Sequence, residues 1–187
     1  MREKGIVIIL VCSVLFLFSG AAYGGRLFLE AEGAYFQPTD QYFKDIYAGG
    51  SYTYGGEIGI GIFKNLEIWA GGHYFKKTGK LTYTQEETTI EIMPICVGMR
   101  LRSSQGKLSL YVGAGVGNFQ YKEENPIGTV DEKDIGYIGQ VGVIFKIMGA
   151  LFIDIKGNYS YCKVKPVGVE EVNLGGIHGG IGIGFEF

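Results

Sequence analysis

The chain lacks most of what a soluble catalytic or nucleic-acid-binding domain carries. It has two histidines in 187 residues, His73 and His178. Neither stands in the spacing of a metal motif such as H-E-x-x-H, so no metal site is expected. Its charge is nearly balanced, 17 Lys and Arg against 19 Asp and Glu, which leaves no basic stripe for a nucleic-acid partner. There is no linker, no low-complexity tail and no long run of like charge, so disorder is not indicated. Cysteines number three. Cys12 lacks the small residues that precede a lipidated cysteine. An oxidising compartment would permit Cys96 and Cys162 to pair, but they fall on segments far apart in sequence and at different depths, and a disulfide is not expected. One long apolar run exists, Ile6 to Phe18, and its thirteen residues are too few to span a bilayer, which takes about 20.

That run belongs to a secretory signal over residues 1–24: Arg2 and Lys4 give a positive start, and Ala22-Tyr23-Gly24 supplies small residues at the cleavage positions. The second unit, residues 25–187, is one domain. Without Arg2, Glu3 and Lys4 it holds 15 basic and 18 acidic residues, a net charge of about −3.

What the chain has in excess is glycine, 32 residues, with 14% aromatics. Dispersed glycine at this level excludes a helical bundle, since each interior Gly costs a helix about 1 kcal/mol. Alternating segments recur instead, at about 27–36, 51–63, 66–77, 89–102, 107–119, 135–147, 151–163 and 174–187, and read as eight strands. Their connections alternate in length. Residues 64–65, 103–106 and 147–150 are tight turns, whereas 37–50, 78–88, 120–134 and 164–173 are long loops, the asymmetry of an outer-membrane barrel.

One face of every segment is free of charge. It carries Leu27, Leu29, Ala31, Gly33 and Tyr35 in the first strand, Ile177, Ile181, Ile183, Phe185 and Phe187 in the last, and only apolar residues, Gly or Tyr in the six between. The other face holds Glu30, Glu32, Glu57, Glu67, Asp154 and Glu186 with Arg100, Arg102, Lys107, Lys146 and Lys156, and many glycines. A soluble calyx would show the same period with its apolar face inward. Two features favour the apolar face outward. Glycine beside long charged side chains suits a narrow lumen. Tyr35, Tyr52, Tyr54, Tyr74, Tyr137, Tyr159 and Tyr161 all fall at the loop end and Phe145, Phe185 and Phe187 at the turn end, a pair of interfacial girdles.

With this pattern, the run Y-V-G-A-G-V-G at Tyr111–Gly117 and the terminal G-F-E-F, the chain resembles the small eight-stranded outer-membrane β-barrels of the OmpA/OmpX/OmpW type. The resemblance implies an all-β, antiparallel up-and-down transmembrane barrel in the Gram-negative outer membrane. It implies an insertion signal on the closing strand at Phe185 and Phe187, contact with outer-membrane lipid and lipopolysaccharide, and delivery by the barrel assembly machinery. No peptidoglycan-binding domain is expected after the barrel.

An interior of eight strands is just wide enough for side chains to fill. The near-balance of Glu30, Glu32, Glu57, Glu67, Asp154 and Glu186 against the five bases points to a paired lumen network, because an unpaired buried charge is heavily penalised. The expected role is structural or surface-interactive, with a plugged polar lumen, no cofactor and no catalysis. Passive transport of small hydrophobic molecules, as the OmpW-type resemblance allows, is the alternative, with Phe63, Trp69, Phe75 and Ile144 on the inner face as its support. A lipid-modifying enzyme is the third reading. The lipid A deacylases of this barrel size carry a lipid-facing His-x-Ser pair, and here His178 is followed by Gly179-Gly180 and His73 by Tyr74-Phe75. The histidines read as lumen hydrogen-bonding groups, and Gly113-x-Gly115-x-Gly117 as wall glycines rather than a nucleotide loop. The acidic stretch Glu123, Glu124, Asp131, Glu132 and Asp134 reads as a solvated loop rather than a divalent-cation site.

Overall fold

A computed structural model describes residues 25–80, 86–126, 128–165 and 171–187; the signal-peptide reading of 1–24 lies outside them. The elements, in chain order, are β1 (Leu27–Pro38), α1 (Gln41–Tyr47), β2 (Ser51–Gly61), β3 (Leu66–Lys80), β4 (Glu87–Gln105), β5 (Leu108–Asn125), β6 (Gly128–Met148), β7 (Leu151–Tyr161), β8 (Lys163–Val164), β9 (Val172–Asn173) and β10 (Gly176–Glu186). β8 and β9 pair only with each other. The other strands form a closed antiparallel barrel in the order β1-β10-β7-β6-β5-β4-β3-β2. Two backbone bonds lock the seam between first and last strand: Leu27 N–H to the Phe187 carbonyl at 3.0 Å, and Phe187 N–H to the Leu27 carbonyl at 2.8 Å. Full closure leaves no unpaired edge where the wall is continuous.

The phase of each strand fixes what lies inside. Along β1 the even residues Phe28, Glu30, Glu32, Ala34 and Phe36 are buried while Leu29, Ala31, Gly33 and Tyr35 are exposed. On β4 the exposed set is Met93, Ile95, Val97, Met99 and Leu101. On β10 it includes Ile177, Ile181, Ile183 and Phe185. The barrel therefore turns its apolar face out and its charges in, the reverse of a soluble calyx. Tyr35 packs edge-on against Tyr52 and Tyr54 against Tyr74, with ring centroids 5.6 and 5.4 Å apart, within the loop-end girdle; Phe185 stacks on Phe187 at the other end. Tight turns at the Phe end place Gly106 and Gly149 at φ +62° and +57°, which glycine adopts without steric cost.

The loop end departs from expectation. Residues 120–134, expected as a long loop, are mostly strand: β5 and β6 pair from Leu108↔Phe145 up to Asn125↔Gly128 without a register shift. β3 and β4 likewise pair as far as Lys80↔Glu87, so much of the expected 78–88 loop is ladder. β2 and β7 stop short, and β3 to β6 stand above them as a projecting sheet. Residues 37–50 contain α1. Its apolar side, Phe43, Ile46 and Tyr47, recurs at i, i+3 and i+4. Asp40 Oδ1 accepts the Phe43 N–H at 3.3 Å as its cap. Beyond its C-terminus Lys77 Nζ donates to the carbonyls of Gly49 and Gly50, at 3.1 and 2.5 Å.

Candidate functional site: the lumen

Facing strands bring the inward side chains into two layers. The one nearer the turn end is ionic. Arg100 on β4 donates from Nε to Glu67 Oε2 at 2.6 Å and from Nη1 to Glu57 Oε1 at 2.8 Å. Its guanidinium lies between two aromatic faces, 4.2 Å from the Phe28 ring centroid and 4.5 Å from that of Tyr111, an arrangement suited to a planar, weakly hydrated cation. Arg102 Nη1 donates to Glu67 Oε1 at 3.2 Å and to Glu186, and Lys146 Nζ meets the other oxygen of Glu186 at 2.5 Å. Lys156 is the second hub. Its Nζ stands 2.7 Å from Glu30, 2.5 Å from Glu32, 3.7 Å from Glu57 and 3.9 Å from Asp154, and Tyr111 donates its hydroxyl to Asp154 Oδ2 at 2.7 Å. Glu57, bound to Arg100 and near Lys156, joins the two hubs.

All nine expected network residues thus fall in one connected set: Glu30, Glu32, Glu57, Glu67, Arg100, Arg102, Lys146, Asp154 and Lys156. Lys107 does not join them. It sits exposed in the β4–β5 turn, where its carbonyl accepts the Lys146 N–H. Arg26 is the fifth base instead, with Nη2 3.5 Å from Glu67 Oε1. It lies in phase with Phe28 and Glu30, so the β1 alternation already carried that signal one step before the strand begins. His73 pairs with Glu32. His178 makes no hydrogen bond from Nδ1 among the described residues; it stacks on Phe36 at 4.3 Å and stands 5.3 Å from the His73 ring.

Nearer the loop end the lumen turns apolar. Phe36, Phe75, Ile90, Ile92, Phe119 and Ile138 are buried there with Cys96, Tyr121 and Cys162. Phe43 and Tyr47 of α1 insert among them, Phe43 6.0 Å from Phe75 by ring centroids and Tyr47 within hydrogen-bond distance of Thr88, 3.4 Å. Of the four residues expected to give the inner face apolar character, Trp69, Phe75 and Ile144 are buried. Phe63 is not: it is 72% exposed in the β2–β3 turn, because the strand ends at Gly61 and the alternation ends with it. Cys96 and Cys162 are both free thiols. Among the described residues no group of three His, Cys, Asp or Glu is placed to hold a metal ion.

No protein-family model and no curated protein sequence matches the chain. Solved structures do. The outer membrane protein OprG of Pseudomonas aeruginosa matches with a TM-score of 0.67 at 12% identity, over 87% of this chain and 96% of that one. Ail, the attachment invasion locus protein of Yersinia pestis, in complex with the heparin analogue sucrose octasulfate, matches with 0.60 at 12% identity, over 87% and 99%. The Escherichia coli outer membrane protein W matches with 0.57 at 18% identity, over 87% and 98%. At such identities the likeness is one of architecture, and together with the closed eight-stranded sheet it gives the chain the fold of the small outer-membrane β-barrels.

Proposed function

We propose that the chain is an integral barrel of the Gram-negative outer membrane, exported through residues 1–24, whose lumen is closed to solutes and whose work is structural or done at its surface, without catalysis. The observation that supports the reading is the pairing inside the barrel. Glu30, Glu32, Glu57, Glu67, Asp154 and Glu186 each stand within 4.0 Å of a base, and Phe43 and Tyr47 of α1 are buried among apolar side chains nearer the loop end. An uncharged outward band between Tyr and Phe girdles is what outer-membrane lipid and lipopolysaccharide would cover, since a Lys or Arg at the midplane costs about 2–4 kcal/mol. Phe185 and Phe187, on the outward face of the closing strand, are the side chains the barrel assembly machinery would read.

The test is solute flux. Purified protein reconstituted into liposomes is assayed with small charged and small apolar solutes. Retention of both supports the closed lumen; release of the charged solute overturns it. Release of the apolar solute alone supports a second reading, passive transport of small hydrophobic molecules, which the aromatic upper lumen and the separate α1 element favour.

A further inference from the structure

Beneath the loop-end girdle the outward wall is hollowed where β5, β6, β7 and β10 run side by side. The hollow has a volume of about 350 Å³, and its outward lining is Val112, Gly139, Val141, Gly157, Tyr159 and Ile177. The register accounts for it. Val112 pairs with Val141 on one flank and Tyr159 with Ile177 on the other, and these four side chains are exposed. Between them Gly139 sits opposite Tyr159 and Gly157 opposite Val141. A Cβ at Gly139 would meet nothing within 4 Å, and one at Gly157 only the His178 carbonyl oxygen and Val141 Cγ2, at 3.8 and 4.0 Å. The floor is the backbone of the wall, because Gln140 and Asn158 are buried on the lumen side. On β4, by contrast, the outward positions from Met93 to Leu101 include no glycine.

Toward the loop end the same flank becomes polar. Tyr137 and Tyr161 come first, paired across β6 and β7. Beyond them, in the same outward phase, stand Lys133 on β6 and Lys163 on β8, both exposed. Lys163 meets Glu171 at 3.0 Å, while Lys133 forms no ion pair among the described residues. From Gly139 to Lys133 is about 20 Å along a tilted strand, at roughly 3.3 Å per residue. Cation, aromatic girdle and apolar hollow thus follow one another down one side of the barrel.

We infer that the hollow is a docking site for an acyl chain of lipid A, the phosphorylated lipid of the outer leaflet, with Lys133 at the level of its phosphate. Lining atoms that face a gap lose their dispersion contacts, and bare glycine lets a neighbour approach the backbone closely. A flexible chain hanging from a headgroup above the girdle supplies those contacts. The lining would accept any hydrocarbon. The source is set by Lys133 and Lys163, which favour an anionic headgroup over a zwitterionic one, and by the position of the hollow in the half of the wall nearer the loop end. A second barrel is disfavoured, because its convex wall would rest on Val141, Tyr159 and Ile177 and leave the floor uncovered. The inference rests on the outer-membrane reading with the loop end outside the cell. Binding is read in micelles, so its failure is separate from the outcome of the flux test.

The experiment adds diphosphoryl lipid A to the refolded protein in neutral detergent micelles and counts retained lipid by native mass spectrometry. Gly139→Leu and Gly157→Leu fill the hollow where a side chain has room. Gly33→Leu is the control: it adds the same bulk on the outward face of β1, where a Cβ also meets nothing within 4 Å, but outside the hollow. Heat-modifiable migration is checked for each variant. Expected is retention of lipid A by wild type and Gly33→Leu, weakened about tenfold by either filling variant, the equivalent of roughly two buried methylenes. Lys133→Gln should weaken retention of diphosphoryl lipid A and leave that of its dephosphorylated form unchanged. Equal retention by Gly139→Leu, Gly157→Leu and wild type overturns the proposal, as does no retention by wild type. Equal retention of phosphatidylethanolamine overturns the assignment to lipid A. A dimer that Gly139→Leu abolishes makes the hollow an interface between copies and overturns it too.

Discussion

Arg100 reaches past a whole strand: from β4 its Nη1 binds Glu57 on β2 at 2.8 Å, while its Nε binds Glu67 on the intervening β3 at 2.6 Å. One guanidinium thereby ties three strands from the inside, buried between the Phe28 and Tyr111 rings.

Charge reversal at this position leaves three carboxylates facing one another. Removing one partner of a buried pair costs about 3–5 kcal/mol, and Arg100→Glu should lower the unfolding midpoint in urea accordingly. Lys122 is the control. It pairs with Glu124 but its side chain is 45% exposed, so Lys122→Glu should leave the midpoint where it was. Equal midpoints for the two variants would remove Arg100 from any structural role.

The two lumen layers predict how conductance depends on mutation. Wild type should show no steady current of porin size in planar bilayers. Replacing both Phe43 and Tyr47 by Ser strips the α1 insertion but leaves the ionic layer, and should stay silent. Combining that change with Arg100→Ala should admit water past both layers and produce resolvable openings. Large currents from the α1 variant alone would mean that the ionic layer does not close the tube.

Phe187 and Glu186 are neighbours with separate duties. Phe187 is 68% exposed on the outward face, whereas Glu186 is held by Arg102 and Lys146 inside. Phe187→Ala should reduce the amount of barrel assembled in the membrane and spare the unfolding midpoint of what is assembled. Glu186→Ala should do the opposite. Membrane fractionation and urea unfolding of the same two variants separate the effects.

Two glycines three residues apart on β6 should respond differently to alanine. A Cβ at Gly142 would fall 2.6 Å from Tyr111 Cε1, displacing the ring that donates to Asp154, whereas at Gly139 it would meet nothing within 4 Å. Gly142→Ala should cost about 1–3 kcal/mol, the usual range for overpacking, and Gly139→Ala should stay within about 0.5 kcal/mol. Urea midpoints measure both.

The barrel wall was legible because lipid and lumen impose opposite demands on alternate residues. Every strand phase from Leu27 to Phe187 follows from that alternation. The membership of Glu57 or Lys156 in the lumen was readable for the same reason, but their partners were not, since pairing depends on how strands are staggered around the tube. Above the girdles the outward face of β5 and β6 no longer meets lipid and both faces carry charge, so Lys122 to Asp134 lost the alternation and read as loop, although Val130 packs against the core. α1 was the one missed element with a usable signal: Asp40 as cap and Phe43, Ile46 and Tyr47 on one side. Seven residues are too few for that period to stand out in a glycine-rich chain.

The seam between β1 and β10 also sets an order of events. Lys156 on β7 meets Glu30 and Glu32 on β1 across β10, and Arg102 on β4 meets Glu186 on β10, 84 residues away. None of these pairs can form while the sheet is still open. A partly assembled sheet must keep those charges hydrated, and the last backbone bonds at Leu27 and Phe187 release that water as they join. Closure is then the step at which the pairs of Lys156 with Glu30 and Glu32 form, and reopening the seam would require rehydrating those ions at once, which slows the finished barrel in coming apart.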